Sequence, residues 1–300
     1  MILTNSCGLA IEFLDNGCIK TIDAAPIRIS LKPQNPFSRS GANIFLRRRD
    51  ESITFKPLFG PESNSSFVLS EEAFIATGNW DGLEYRTILS LSEKSLSWQF
   101  SAEIRNTKQN PVDLDLVYVH DVGLKPINAG LINEYYVSQY LERRILKDGA
   151  YDEVVSCRQN MKESTGNPWI MLACKNGAAS ACTDGMQYFG KSFRETGIPE
   201  GLLAVSLNGE YAGESPVVAL QEKPFYLAPG QSHQSVFVGT CLPDHPQATS
   251  TEDLKRLPAL FDEFNNELPN VHWGEKVSPL TNLFNTTPFL PSEDLSEEEI

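Results

Sequence analysis

Alternation of apolar and polar side chains dominates about the first 240 residues of the chain. Across residues 95–104, apolar side chains occupy every second position and polar side chains occupy the positions between them. A period of two is typical of a strand with one buried face. The same pattern returns at residues 112–118, after a polar stretch at 106–111. The two segments predict a hairpin.

Tight-turn dipeptides support the same reading elsewhere. Asn16-Gly17 separates two apolar-rich segments, and Asp81-Gly82 precedes another alternating one. Short apolar runs bounded by Gly, Pro or Asn lie at residues 169–174, 202–207, 217–220 and 236–238. No long helical period appears before about residue 250. Strands that recur every ~8–12 residues over such a length predict an all-β fold, a sandwich of two large sheets.

The pattern becomes helical near the end of the chain. Ser250 and Asp253 have the spacing of a capping box, and apolar side chains follow at helical spacing. These apolar residues are Leu254, Leu257, Phe261 and Phe264. Pro258 lies inside this pattern, so the helix either kinks there or begins near Pro258 with the proline in its first turn. Both alternatives fit the sequence.

Charge divides the chain in the same place. The 300 residues carry 39 acidic and 25 basic side chains, a net charge of −14, which argues against a nucleic-acid partner. Residues 251–300 alone hold eleven acidic and three basic side chains. We therefore predict a β-sandwich domain over residues 1–247 and an acidic helical linker over residues 248–300.

Several functional classes are excluded by what the sequence lacks. No apolar run approaches the ~18 residues of a membrane span, and the first residues do not form a signal peptide. The six cysteines are widely spaced, without a CxxC or Cys/His cluster. Glycine-rich phosphate loops, GxSxG elbows and HExxH motifs are missing. We expect a cytoplasmic protein with reduced thiols, no membrane association, no metal and no cofactor.

Two charged motifs invite a functional interpretation. His120-Asp121 ends an alternating segment and could form an acid–base pair, although a structural hydrogen bond is the commoner role of such a pair. Arg47, Arg48 and Arg49 could bind an anion, but successive strand residues point to opposite faces and cannot converge. A solvated edge or a subunit contact is the expected role of this arginine run.

Polar and aromatic side chains are concentrated at three places, residues 133–140, 157–169 and 184–194, in a way that suggests sugar binding. Aromatic faces bind the C–H surfaces of sugars, and planar amide or guanidinium groups bind pairs of hydroxyls. A half-exposed sheet can also carry tyrosines simply as good strand formers. The candidate substrate-binding residues are Asn133, Tyr135, Tyr136, Gln139, Arg158, Gln159 and Asn160. No catalytic residue is assigned.

The same stretches resemble a known family. They are NEYYVSQY at residues 133–140, CRQN at 157–160, TDG at 183–185, LPDHP at 242–246, ATS at 248–250 and ANIFLRR at 42–48. In this order they are similar to the N-terminal domain of 1,2-β-oligoglucan phosphorylases of glycoside hydrolase family 94, which are related to cellobiose phosphorylase and cyclic β-1,2-glucan synthase. The resemblance covers nearly the whole chain, but none of these motifs is a catalytic signature.

What the resemblance implies is a galactose-mutarotase-like super-sandwich, a short helical linker and an (α/α)6 barrel that carries the catalytic aspartate. The barrel is absent from this sequence, which implies a supporting module that works with a barrel in cis or on a separate chain. The implied substrate is a β-glucooligosaccharide, and the domain could support a homodimer. On this reading the capping box at Ser296 opens a further helix, whereas the residues alone equally allow a disordered acidic tail.

Two other functions remain open from the sequence. One is a stand-alone carbohydrate-binding module, which would need sugar affinity without a barrel. The other is a mutarotase-like sugar epimerase, for which no catalytic motif is recognisable in the sequence.

Overall fold

The computed structural model describes residues 1–36, 41–129, 139–213 and 215–264. The prediction of an all-β fold is confirmed. The strands are β1 Ile2–Thr4, β2 Leu9–Phe13, β3 Ile19–Ala24, β4 Ile27–Ser30, β5 Ala42–Arg48, β6 Thr54–Pro57, β7 Ser65–Leu69, β8 Ala73–Trp80, β9 Leu83–Leu91, β10 Ser97–Asn106, β11 Val112–Pro126, β12 Leu141–Asp148, β13 Asp152–Gln159, β14 Trp169–Cys174, β15 Ala178–Cys182, β16 Val217–Glu222, β17 Phe225–Leu227 and β18 Ser232–Leu242. The helices are α1 Gly185–Phe189, α2 Phe193–Thr196, α3 Glu200–Leu203 and α4 Leu257–Asp262, with a 3₁₀ helix at Thr251–Arg256.

The strands form two large layers. The first sheet has the order β7–β8–β9–β10–β18–β14–β13–β12, and all its neighbours are antiparallel. The second sheet has the order β15–β16–β11–β5–β6, with β17 beside the start of β11. The far end of β11 pairs with β4 of a small sheet formed by β1 to β4. Apolar side chains from these layers meet in one main core, which makes the molecule a super-sandwich.

The predicted turns follow the expected chemistry at two hairpins. β2 and β3 pair across the Asn16-Gly17 dipeptide, and β8 and β9 pair across Asp81-Gly82. Asp81 and Gly82 both have positive φ, at 48° and 76°. Two consecutive left-handed residues define the tight turn that suits the twist of antiparallel strands. The local signal therefore placed these connections correctly.

The predicted hairpin between β10 and β11 is wrong. β10 pairs with β9 and β18 in the first sheet, whereas β11 pairs with β5 and β16 in the second. The indole nitrogen of Trp98 on β10 donates to the hydroxyl of Tyr118 on β11 at 3.0 Å. The two amphipathic strands thus face each other across the core through their apolar sides, and the polar connection crosses from one sheet to the other.

β11 is buried on both faces. Leu116 and Tyr118 point into the main core, and Val117 and Val119 point to the outer face of the second sheet. This alternation follows from the pleat of a strand. The outer apolar face is covered by α1 to α3, whose Tyr188 and Leu202 pack on it. The helical excursion between β15 and β16 therefore serves as a cover for this sheet.

The terminal helical segment decides between the two alternatives left by Pro258. Ser250 caps the 3₁₀ helix, and Asp253 completes the capping box. α4 then begins with Pro258 in its first turn, where a missing N–H costs nothing. Leu257 and Phe261 pack with Trp169 and its neighbours on the outer face of the first sheet. Residues 265–300, which hold most of the predicted linker and the motif at Ser296, lie outside the described residues.

Across the described ranges, no helix combines the length and hydropathy that crossing a membrane requires.

Candidate functional site

The structure describes only part of the predicted sugar-binding stretch. Asn133, Tyr135 and Tyr136 lie outside the described residues. Gln139 precedes β12 and is exposed, and Asn160 follows β13 and is also exposed. The main-chain N–H of Asn160 donates to the carbonyl of Tyr140 at 2.9 Å, because β12 and β13 are antiparallel neighbours. The two predicted stretches thus meet at one end of this strand pair.

Arg158 is engaged within the protein. Its Nε donates to the carbonyl of His245 at 2.7 Å, and its Nη2 donates to the carbonyl of Pro246 at 2.9 Å. Its Nη1 donates to Oδ1 of Asn160 at 2.5 Å. The guanidinium is buried and fastens the chain segment that leaves β18. A structural function of Arg158 therefore accompanies the predicted sugar contact, which stays a prediction.

The side chain of Gln159, between Arg158 and Asn160 in sequence, is fully buried. Its Oε1 accepts from the main chain of Met161 at 3.0 Å, and its Nε2 has no hydrogen-bond partner among the described residues. Within the described part of the predicted set, Gln139 and Asn160 are the two side chains that face solvent. A sugar ligand can therefore reach these two side chains more easily than those of Arg158 and Gln159.

His120 and Asp121 do not form an acid–base pair. They are successive residues of β11, so their side chains point to opposite faces. His120 is fully buried in the main core, where its Nδ1 lies 2.8 Å from the hydroxyl of Tyr118. Burial lowers the pKa of His120 to about 3, so the ring is neutral at physiological pH. The structural role is the one that the geometry supports for this histidine.

Asp121 instead faces a cavity of about 370 Å³ on the outer face of the second sheet. This cavity, the outer pocket, lies between β5, β6 and β11 on one side and α1 and α2 on the other. Its aromatic wall includes Phe45, Phe55, Tyr188, Phe189 and Phe193. Phe45 and Phe55 meet edge to face with ring centroids 5.9 Å apart, and Phe189 and Phe193 lie 4.5 Å apart. Apart from Tyr188, these rings are only partly buried.

The polar end of the outer pocket is held in place by the main chain. Oδ2 of Asp121 accepts from Nε2 of Gln34 at 3.2 Å, and both side chains are more than nine-tenths buried. The Asp121 N–H donates to the carbonyl of Gly41 at 2.7 Å, and its own carbonyl accepts from Leu31 at 3.2 Å. A Cβ at Gly41 would clash with the Asp121 carboxylate in its present position.

A buried ionic cluster lies on the same sheet face as the outer pocket. Arg47 and Asp115 are both 0% exposed and form two N–O contacts of 2.6 Å. The same arginine donates from Nη1 to the carbonyls of Leu202 at 3.2 Å and Ala204 at 2.8 Å. The cluster thereby fastens α3 to the sheet. The expectation of a solvated arginine run is wrong for Arg47, because the odd positions of β5 face the helical cover.

Most of this chain matches one known protein family. Residues 12–239 match the family described as the SOGP N-terminal domain. The chain belongs to this family. The match to the SOGP N-terminal domain family includes every residue of the outer pocket named above and all the predicted sugar-binding residues, and it ends before the 3₁₀ helix.

One curated relative aligns with most of this chain. The 1,2-β-oligoglucan phosphorylase of Listeria innocua is 24% identical over 263 residues, which cover 85% of this chain and 23% of the relative. The chain therefore spans less than a quarter of the length of the relative that it matches.

Two solved structures align with most of this chain. A bacterial glucoamylase crystallised with acarbose aligns with a TM-score of 0.50 and 10% identity, over 87% of this chain and 36% of that one. This likeness concerns the fold alone. A galactose mutarotase related enzyme from Lactobacillus acidophilus aligns at 0.44 and 9% identity, over 83% of this chain and 99% of that one. The second alignment is too loose to carry further argument.

Sequence reasoning marked the stretch that contains Tyr188 but did not predict the outer pocket of this SOGP N-terminal domain. One available signal was the unbroken run Val117-Tyr118-Val119, since an apolar residue at every position indicates a strand covered on both faces. The other was the aromatic pair Tyr188-Phe189 close to Phe193. Neither signal could show that Asp121 and Gln34 meet there, because that contact joins residues 87 positions apart.

Proposed function

We propose that the chain is the N-terminal supporting module of an inverting phosphorylase that acts on β-1,2-linked glucooligosaccharides. The observation that carries the proposal is the family match over residues 12–239, together with the oligoglucan phosphorylase activity named for the Listeria innocua relative. The chain corresponds to 23% of that relative, so the phosphorolysis reaction is itself part of what we propose.

In the proposed reaction, a phosphate oxygen attacks the anomeric carbon of the terminal glucose. The bond from that carbon to the bridging oxygen breaks, and a carboxylic acid donates its proton to the leaving oxygen. The products are α-glucose 1-phosphate and a shortened oligosaccharide. Phosphate is already an anion and needs no general base, so one catalytic carboxyl group suffices. We assign that group to an (α/α)6 barrel in cis or on a separate chain, and no catalytic residue to this chain.

The module would border the sugar cleft through the stretch that contains Asn133, Tyr135, Tyr136, Gln139 and Asn160. The exposure of Gln139 and Asn160 supports this placement, since an amide that faces solvent can donate to and accept from sugar hydroxyls. Arg158 and Gln159 would act from behind these side chains, with Arg158 holding the main chain of Pro246. A cytoplasmic location and an optional homodimer complete the proposal.

Phosphorolysis assays test this function. We expect the chain, when combined with an (α/α)6 barrel in cis or on a separate chain, to release α-glucose 1-phosphate from β-1,2-glucooligosaccharides and phosphate, with the Listeria innocua relative as positive control. The purified 300-residue chain alone should release none. Phosphorolysis activity that co-purifies with the 300-residue chain would contradict the supporting role. A barrel-containing enzyme that uses only another linkage would contradict the proposed substrate.

A further inference from the structure

We propose that His245 and Asp253 form a proton-dependent latch, which fastens the terminal helical segment to the first sheet only while the histidine ring carries two protons. The terminal helical segment is residues 250–264, which contain the capping serine, the 3₁₀ helix and α4. The latch goes beyond the proposed function, because a supporting module needs no response to pH.

Both nitrogens of the His245 ring lie beside oxygen atoms that accept hydrogen bonds. Nδ1 is 2.8 Å from the main-chain carbonyl oxygen of Gln247, and Nε2 is 2.7 Å from Oδ1 of Asp253. A neutral imidazole has one N–H and donates at only one nitrogen. A carbonyl oxygen cannot donate, and an ionised carboxylate only accepts. The two hydrogen bonds therefore form together when the ring is doubly protonated and Asp253 is ionised.

The ring also has the surroundings of a cation. It stacks on the indole of Trp169, with ring centroids 4.9 Å apart and planes at 12°, and the face of a tryptophan attracts a positive charge. The indole is itself held, because its N–H donates to Oγ1 of Thr249 at 3.2 Å. His245 and Asp253 are 7% and 6% exposed, so salt and water screen their attraction only weakly. The doubly protonated ring is therefore stabilised on its edge and on one face.

Other charged groups surround the latch on β12, β13, the connection after β18 and the 3₁₀ helix. Arg158 donates to the main-chain carbonyl of His245 at 2.7 Å, and Nε of Arg256 lies 3.8 Å from Oδ1 of Asp253, with half of its side chain exposed. Arginine, aspartate and glutamate ordinarily titrate outside the range from about pH 5.5 to pH 9, whereas histidine titrates within it. The histidine is thus the member of this group that responds to pH near neutrality. The remaining charged neighbours are Glu142 and Asp244.

The two halves of the latch belong to different parts of the chain. His245 follows β18 and is fixed by the bond from Arg158, whereas Asp253 belongs to the 3₁₀ helix and caps it through Oδ2, which accepts from the Ser250 N–H at 2.9 Å. The far end of the segment has its own anchor, since Glu263 accepts from the hydroxyl of Ser92 at 2.7 Å. Loss of the latch therefore loosens the segment at its beginning and leaves its end attached.

The direction of the pH response follows from the protons. When the ring loses one proton, one of the two buried oxygens has no donor, and a buried acceptor without a partner is unfavourable. The docked segment thus holds a proton that the loosened segment gives up, so docking weakens as the pH rises. Low pH within the histidine range keeps the segment docked.

Hydrogen exchange measured by mass spectrometry on the purified 300-residue chain tests the latch. After correction for intrinsic exchange, protection across residues 250–264 should fall about tenfold or more between about pH 5.5 and pH 9. In His245→Gln, where one amide nitrogen replaces two ring nitrogens, protection should already be low at the acid end and should not change with pH. His233→Gln, which removes another histidine on β18, should keep the wild-type profile. Protection of β10 should be the same in all three proteins.

NMR of protein labelled with ¹⁵N-histidine reads the ring itself. At about pH 5.5, both nitrogens of His245 should give the signals of an imidazolium, and these should change to those of a neutral ring over the range in which protection falls. The signals are identified by the nuclear Overhauser contact of this ring with that of Trp169. The wild-type exchange profile and the ring signals require no variant, so they decide the question if His245→Gln does not fold.

Three outcomes would overturn the latch. One is a neutral His245 ring at about pH 5.5 while the segment is protected. Another is wild-type protection across residues 250–264 that does not change with pH. The third is a pH response that persists in folded His245→Gln or disappears in His233→Gln, since a different group would then control the segment.

Discussion

Arg47 and Arg48 are neighbours in sequence with opposite electrostatic environments. Arg47 is sealed with Asp115 beneath the helical cover, while Arg48 forms ion pairs with Asp50 and Asp81 at the surface. Arg47→Met should lower the free energy of unfolding by about 3–5 kcal/mol, because it leaves the Asp115 charge buried with less compensation. Arg48→Ala should cost about 1 kcal/mol or less. Denaturant titration measures both, and equal losses would contradict this difference.

The pKa of His120 makes a second prediction at the residue scale. Burial lowers this pKa to about 3, whereas an unfolded histidine titrates near 6.5. Between these two values the unfolded chain binds a proton that the folded protein does not, so stability falls as the pH falls through this window. His120→Gln retains an acceptor for Tyr118 and removes this titration.

The pH dependence of unfolding provides the measurement. Between about pH 6.5 and pH 5, the wild type should lose roughly 1.6 kcal/mol more than His120→Gln. Comparison of the two slopes cancels the contribution of the carboxylates, which both proteins share. Parallel stability curves would show that His120 is protonated in the folded protein as readily as in the unfolded chain.

At the scale of elements, α4 owes its position to one apolar face. Phe261 is buried, and its ring centroid lies 4.8 Å from that of Tyr151. Phe261→Ala should cost about 3–5 kcal/mol of local stability, because a large aromatic side chain leaves a cavity. Hydrogen exchange across residues 251–264 should accelerate, while β10 stays protected. Lys255→Ala, at an exposed position of the 3₁₀ helix, is the control. Unchanged exchange in Phe261→Ala would show that this face does not hold the helix.

Strand existence was predictable from sequence, whereas strand pairing was predictable only at short range. The Asp81-Gly82 turn fixes β8 against β9 through its own backbone geometry. The connection from β10 to β11 has no such turn, and an amphipathic strand is satisfied by any apolar surface that covers its inner face. Trp98 contacts Tyr118 across the core, and this contact depends on the whole fold.

The whole molecule uses its two outer sheet faces in the same manner. Each face carries apolar side chains that a helical segment covers, at α1 to α3 on the second sheet and at α4 on the first. Sequence patterning predicted a helix at α4, as part of a linker and not as a cover, because its apolar residues are local and periodic. The other cover is built from helices of four or five residues, too short for a period to show. The outer pocket lies under this second cover, which explains why the sequence did not predict it.

The predicted sugar-binding stretch can be tested at the scale of the assembled enzyme, where contact and support have different signatures. In an enzyme that combines this chain with the proposed barrel, Gln139→Ala should raise the KM for β-1,2-glucooligosaccharides about two- to tenfold without changing Tm, because an exposed amide contributes hydrogen bonds only to ligand. Tyr135→Ala should act in the same direction on KM. Lys162→Ala, at an exposed position just beyond Asn160, is the control and should change neither quantity.

Arg158→Ala should have the complementary effect. Removal of its bonds to His245, Pro246 and Asn160 should lower the free energy of unfolding by about 2–3 kcal/mol, since a guanidinium makes charge-assisted hydrogen bonds to these acceptors. If Arg158 acts only by holding the segment after β18, the folded fraction keeps a normal kcat/KM. A lowered kcat/KM with unchanged Tm would instead place its guanidinium in direct contact with the sugar. Measurement of Tm and kcat/KM on the same preparations separates the two roles. If both values are normal in Arg158→Ala, Arg158 has neither role.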